Sequence, residues 1–126
     1  MKLPDTCVWI EALVDSPTGQ RYRVLFEAPD QLVVPTLVQY ELRRWTLREL
    51  GEDAADRIVA MTHASRVVAL DESTALRAAE LADLHGLASM DALIYASALT
   101  SGAELVTCDA HFKKLPNVDY QPKRAS

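Results

Sequence analysis

Short apolar runs alternate along the chain with longer stretches in which apolar positions return every three or four residues. The short runs predict strands: Lys2 to Asp5, stopped by an acid; Leu32-Val33-Val34, closed by Pro35; Arg66 to Leu70; Glu104 to Thr107; and a weaker one at Val118 to Tyr120. The longer stretches predict helices. Thr6 to Val14 has Trp9, Ile10 and Leu13 on its apolar side. Ser16-Pro17-Thr18-Gly19 reads as a turn, followed by a helix over Gln20 to Ala28 that Pro29 ends. Further helices span Thr36 to Leu50 with Gly51 past the end, Glu52 to Ala64, and Glu72 to His85 with Gly86 as the stop. The last, Ser89 to Thr100, takes Ser89 as N-cap, and a short helical turn follows the Glu104 strand.

Short strands separated by helices imply an α/β fold. The expected architecture is a parallel sheet of four to five short strands flanked by helices on both faces. Ligands in such sheets bind beyond the carboxyl ends of the strands, so the residues just after each strand are where chemistry is sought. No internal repeat or low-complexity linker divides the chain. Residues 1–126 are expected to form one domain, with 121–126 a loose tail around Pro122-Lys123-Arg124.

Composition narrows the class. At 126 residues and 49% hydrophobic content the chain can bury a core without disulfide or metal. Its two cysteines, Cys7 and Cys108, are no disulfide scaffold. Asp5 interrupts the opening apolar run, which predicts no secretory leader, and no uncharged apolar stretch reaches the length of a membrane span. A reducing, cytoplasmic setting with no membrane contact is expected. The net charge of −5, from 13 basic and 18 acidic residues, argues against a large basic surface for polyanions.

The placement of the acids changes that picture. Asp5 ends the first strand and Asp109 lies two residues after the Glu104–Thr107 strand, so both belong at the carboxyl edge of the sheet. Either alone is explained by turn or helix-cap chemistry. Asp91 is the one charged residue between Ala88 and Ala103, at the start of a helix apolar nearly all round. Glu41 shares the stripe of Val38, Leu42 and Trp45, whereas Arg43, Arg44 and Arg48 have the opposite face. Four carboxylates converging on one sheet edge repel one another unless a cation sits among them. Hard divalent ions such as Mg²⁺ or Mn²⁺ take such oxygen ligands and support displacement at phosphorus.

Four ordered segments carry a family resemblance: Asp5-Thr6-Cys7-Val8-Trp9-Ile10, Val33 through Leu42, Ala88 through Ala96, and Leu105-Val106-Thr107-Cys108-Asp109-Ala110-His111-Phe112. The sequence resembles PIN-domain ribonucleases and, among them, the VapC toxins of type II toxin–antitoxin pairs, from Leu3 to about Tyr120. The resemblance implies a PIN-like (Rossmann-like) fold and metal-dependent cleavage of RNA. It maps the family's metal-holding, catalytic acids onto Asp5, Glu41, Asp91 and Asp109. It gives Thr6 and Thr107 the task of orienting those carboxylates, and it implies a cognate VapB-type antitoxin and commonly a homodimer. Pro4 and Cys7 depart from the family pattern: Pro4 stands where an ordinary strand residue is usual, Cys7 where Asn or Ser is common.

Arg43, Arg44, Lys113 and Lys114 are the candidates for holding RNA backbone at the rim. Cys7 and Cys108 read as two small buried hydrophobes, and a redox pair is the rarer alternative. His63, His85 and His111 have no zinc-ligand spacing; His85 suits a helix end and His111 a loop. Asp71 and Glu72 read as helix-capping acids, and Trp45 and Leu42 as core. A receiver-like phospho-switch matches in length and would use Asp71 and Lys114, but it leaves Glu41 and Asp91 without a task. A non-catalytic interaction module on the same fold has no use for four clustered acids. With those four set aside, the remaining charge is close to neutral.

Overall fold

Each strand ends early, because the sequence closes it with an acid, a proline or a turn. In the computed structural model, which describes residues 1–124, the strands are Lys2–Pro4 (β1), Val33–Pro35 (β2), Arg66–Val68 (β3), Glu104–Thr107 (β4) and Val118–Tyr120 (β5). Every pairing is parallel: β1 with β4, β4 with β5, and β2 with β3. One parallel bridge between Lys2 and Leu32 joins the two pieces, giving the spatial order 3-2-1-4-5. The chain reverses its direction of travel across the sheet between β1 and β4. That is the crevice at which open α/β sheets bind ligands.

The helices are Thr6–Leu13 (α1), Pro17–Tyr22 (α2), Thr36–Leu50 (α3), Glu52–Thr62 (α4), Glu72–His85 (α5) and Ser89–Thr100 (α6). Leu105 and Val106 are neighbours on β4, so their side chains leave opposite faces of the sheet. Leu105 joins the main core with Leu3, Val34, Leu42, Ile94 and Phe112. Val106 packs with Val8, Tyr22 and Cys108 in a second cluster. Both faces are therefore covered, which is why the strand residues are apolar without alternation. Helix α6 buries Ala92 and every residue from Ile94 to Ala98, as its apolar composition predicts. In α3 the buried stripe runs Val38, Leu42, Thr46. Trp45 is only half-buried.

Three expectations are corrected. The helix expected over Gln20 to Ala28 begins earlier, at Pro17, and after Tyr22 tightens into a 3-10 turn over Arg23–Glu27. Ser16, read as part of a turn, is the N-cap: its hydroxyl accepts from the Gly19 N–H at 2.9 Å, and Pro17 takes the first helical position. Gly19 is where α2 crosses α1 closely, since a Cβ there would stand 1.9 Å from the Glu11 carbonyl oxygen. Ser89 does not cap α6. Ala88 holds the cap position with extended backbone and no side chain satisfies the helix start, so Ser89 is the first helical residue. Finally, residues 121–124 of the expected loose tail are tied down. The Gln121 N–H donates to the Thr107 carbonyl (3.0 Å), Arg21 donates to the Pro122 carbonyl (2.8 Å), and the Arg124 N–H donates to Thr18 Oγ1 (2.7 Å). The last two residues of that tail lie outside the described residues. No helix among the described residues is long and apolar enough to cross a membrane.

Candidate metal centre

The reversal point brings the ends of β1 and β4 together, and Asp5 stands on the first of them. Its backbone N–H donates to the Val106 carbonyl (2.8 Å), so the residue is pinned to β4 before its side chain is considered. The carboxylate caps α1: Oδ1 accepts from the Thr6 N–H at 2.8 Å. Oδ2 accepts from Thr107 Oγ1 at 2.9 Å and from the Cys7 thiol at 3.7 Å. Asp5 is 6% exposed. Burial pushes its carboxyl up to about 6, against the hydrogen bonds of Thr107 and Thr6 that lower it, while the Glu41 and Asp91 charges add to the rise.

Thr6 links Asp5 to the next acid. Its backbone N–H serves Asp5, and its hydroxyl donates to Glu41 Oε1 at 2.6 Å. Thr107 does the same on the other side. Fully buried, it gives its hydroxyl proton to Asp5 and accepts the Asp109 N–H at 3.0 Å. Two threonines thus join three acids, each hydroxyl fixed by the strand end or helix start that carries it.

Asp109 heads the 3-10 turn Ala110–Phe112 and accepts the His111 N–H at 2.9 Å. Asp91 lies in the first turn of α6, half-buried. Burial raises its carboxyl above the ordinary range, the Asp109 charge adds to the rise, and His111 opposes it. By sequence His111 is a loop residue without a task at the site. Its Nδ1 instead faces both acids, 3.4 Å from Asp91 Oδ2 and 3.2 Å from Asp109 Oδ1.

All four acids therefore come to one crevice. Among the described residues, no lysine or arginine pairs with any of them; the salt bridges of this chain lie elsewhere, apart from His111. Clustered carboxylates with no lysine or arginine among them, two of which, Asp5 and Asp91, are held above the ordinary carboxylate range, suit a divalent cation, and an oxygen donor set with one imidazole at its edge fits a hard or borderline ion. Asp91, Asp109 and His111 each offer one donor atom, and the three lie within 4.8 Å of one another.

The rim residues separate. Arg43 turns to α4 and pairs with Asp56 at 2.9 Å. Arg44 lines a groove of about 400 Å³ with Thr6, Tyr40, Glu41, Trp45 and Arg48. Its guanidinium lies 5.9 Å from the centre of the Tyr40 ring. Arg44 and Arg48, both assigned from sequence to the face opposite Glu41, share this groove with it. The signal was their spacing, since residues 41, 44 and 48 stand three and four apart on one helix face. Lys113 and Lys114 are exposed on the segment after His111. The His111 signal was also present, as the second residue after an acid at a strand end.

The remaining candidates stand outside the centre or beside it. Asp71 caps α5, accepting the Thr74 N–H at 2.8 Å, and that bond holds its carboxyl below the usual range. Its carboxylate is therefore engaged as a cap and not poised as a phosphoacceptor. His85 sits at the end of α5 against the edge of Tyr95, and His63 follows α4. Cys108 is buried and Cys7 partly so, but Cys7 is more than a small hydrophobe. Its sulfur also accepts the Cys108 N–H at 3.4 Å and lies 3.6 Å from Thr107 Oγ1.

The PIN domain family profile matches residues 2–118. No curated protein sequence matches. Among solved structures, a toxin–antitoxin complex from Klebsiella pneumoniae superposes with a TM-score of 0.79 at 20% identity, over 94% of this chain and 96% of that one. VapC20 of Mycobacterium tuberculosis, a sarcin–ricin loop cleaving toxin, gives 0.76 at 18% identity, over 92% and 95%. FitAcB from Neisseria gonorrhoeae gives 0.73 at 22% identity, over 95% and 96%. At these identities the structures share the fold, at nearly full length on both sides.

Proposed function

Because the chain belongs to the PIN domain family, we propose that it is the toxin of a type II toxin–antitoxin pair, a cytoplasmic endoribonuclease that uses Mg²⁺ or Mn²⁺. The observation that carries this reading is the convergence of Asp5, Glu41, Asp91 and Asp109 with no lysine or arginine paired to them among the described residues. A carboxylate cluster left bare is a stability liability, and a divalent cation turns it into a site. The four acids would hold the ion. When bound, it supplies an activated water at neutral pH and offsets the charge that develops at phosphorus.

The chain's own residues do the rest. Thr6 and Thr107 hold the Asp5 and Glu41 carboxylates at fixed angles, so little reorganisation is left for the reaction. Burial on the Val106 side keeps bulk water from Asp5. The groove beside Glu41 offers Arg44 and Arg48 to phosphates and the Tyr40 and Trp45 rings to bases, a combination suited to single-stranded RNA. Lys113 and Lys114 extend the positive rim beyond His111. Nearly full-length likeness to toxin–antitoxin complexes supports a VapB-type antitoxin as protein partner, and a homodimer is the proposed assembly.

Purified protein should cleave RNA in Mg²⁺ or Mn²⁺ and stop when EDTA is added. Asp5→Asn and Asp91→Asn should both be inactive while keeping a native circular dichroism spectrum. Wild-type cleavage by either variant would overturn the assignment.

A further inference from the structure

We propose that His111 is itself a metal ligand, whose imidazole nitrogen biases the outer part of the site towards Mn²⁺ over Mg²⁺. The inference rests on the metal-centre reading above and goes one residue beyond it. Its ground is the spacing of donor atoms. His111 Nδ1 stands 3.2 Å from Asp109 Oδ1 and 3.4 Å from Asp91 Oδ2, and one donor from each residue falls within a 4.8 Å cluster. An ion with ligands at about 2.0–2.2 Å places adjacent ligands roughly 3.0–3.5 Å apart, whether it is octahedral or tetrahedral. The two contacts of His111 are edges of that size.

The turn that carries the ring is also held in place by its surroundings. Asp109 caps the turn that carries His111 and accepts its backbone N–H at 2.9 Å. Phe112, the next residue, is fully buried in the main core and anchors the turn from below. His111 therefore stands beside the acids on an anchored turn, and its side chain, 74% exposed, is open to an incoming ion. The competing account is that the imidazole is only a counter-ion to two acids, which a metal would displace. The two accounts predict opposite effects of removing the ring: a lost ligand weakens metal binding, whereas a lost competitor strengthens it.

The chemistry of the donor sets the preference. Mg²⁺ favours oxygen and keeps its waters, whereas Mn²⁺, though itself suited to carboxylates and water, is the softer of the two and admits an imidazole ligand more readily. A set of two carboxylates and one imidazole is thus more selective than carboxylates alone.

The test is metal binding by the full chain, read without RNA. Pulsed electron paramagnetic resonance of the Mn²⁺-loaded wild type should show ¹⁴N modulation from a directly bound imidazole. His111→Ala and His111→Asn should lose that signal while melting at the wild-type temperature. Calorimetric titration should show Mn²⁺ bound about tenfold more weakly by both variants, with Mg²⁺ affinity changed by less than about threefold, since that ion gains little from nitrogen. Nitrogen modulation that persists in His111→Ala, its absence from the wild type, or Mn²⁺ affinity that is unchanged or tighter in the variants would overturn the proposal. Wild-type protein that binds no Mn²⁺ would remove the metal-centre reading along with it. Binding that responds to Asp91→Asn and not to His111 would remove this inference alone.

Discussion

The two halves of the acidic crevice are built on different terms. Asp5 and Glu41, on the inner side, are fixed by hydrogen bonds from Thr6 and Thr107, and Asp5 is almost wholly buried. Asp91 and Asp109, on the outer side, face an exposed histidine, and their side chains are 22% and 34% accessible. The inner half is fixed by the fold itself, at the cost of a desolvated charge. The outer half is open to solvent, so under the proposed function ions, water and substrate would exchange there. A site made only of the first kind would be slow to load, and one made only of the second would be poorly oriented. The difference teaches that rigidity and access are assigned to separate carboxylates, with Thr107 between them: it donates to Asp5 and accepts from the Asp109 backbone.

The sharpest way to break this comparison is to neutralise one acid from each half. Asp5→Asn should cut RNA cleavage at least about a hundredfold. It should also raise the stability of metal-free protein at pH 7. A carboxyl held at about 6 in the fold, against an ordinary 3.8, corresponds to at most about 3 kcal/mol. Asp91→Asn should lose activity as severely but stabilise less, because Asp91 is only half-buried. Equal gains in chemical denaturation of the two variants would show that the halves do not differ in desolvation.

Thr107→Val probes the link between them. The substitution keeps volume but leaves Asp5 short of a donor and the Asp109 N–H without its acceptor. We expect a loss of about 1–3 kcal/mol in urea unfolding and a 10–100-fold loss of cleavage. Loss of activity with stability unchanged would mean the hydroxyl acts on substrate instead.

The pH dependence follows from the inner half. The Asp5 pKa is raised on folding, so its stabilising contribution is complete below about 3.8 and is lost as pH rises through about 6. Metal-free protein should therefore gain about 1 kcal/mol from Asp5 between pH 7 and pH 5, with Asp91 acting in the same direction. Asp5→Asn should lack most of that gain, and saturating Mn²⁺ should suppress it in the wild type. Melts across this range, with EDTA and with Mn²⁺, check both.

The smallest effects separate two adjacent arginines. Arg43 is spent on an exposed pair with Asp56, so Arg43→Ala should change stability by less than about 1 kcal/mol and leave cleavage alone. Arg44→Ala should raise KM a few-fold with kcat held, with a weaker salt dependence of RNA binding. Identical kinetics for the two would remove the groove from the account of substrate binding.

Much of the fold was legible because local chemistry and packing agreed. The helices Thr36–Leu50 and Glu72–His85 end at their glycine stops, Gly51 and Gly86, and Ser89–Thr100 spans its apolar run. Ser16-Pro17 misleads because proline and glycine are also turn residues. In the fold the serine caps, the proline starts a helix, and Gly19 is required by the contact with Glu11. Ser89 misleads as a cap for α6, because a cap depends on backbone angles that residue type does not set. The four acids were legible as anomalies: charges on buried stripes or at strand ends. Their partners were only half legible. Thr6 and Thr107 make hydrogen bonds to the carboxylates, whereas His111 and Arg48 carried only weak spacing signals, and their orientation in the fold is what brings them to the crevice.

The sequence alone determined the alternation of strand and helix, the apolar positions that must be buried, and four carboxylates that burial alone could not accommodate. These follow from periodicity and the cost of desolvating charge, both local properties. The tertiary structure decided that Asp5 and Glu41 share Thr6 while Asp91 and Asp109 share His111, and that Arg43 and Arg44 face different surroundings. Those facts depend on strand order and helix rotation. Residues more than a hundred positions apart, such as Asp5 and Thr107, meet only once β1 lies beside β4, and no local pattern specifies the angle at which they meet.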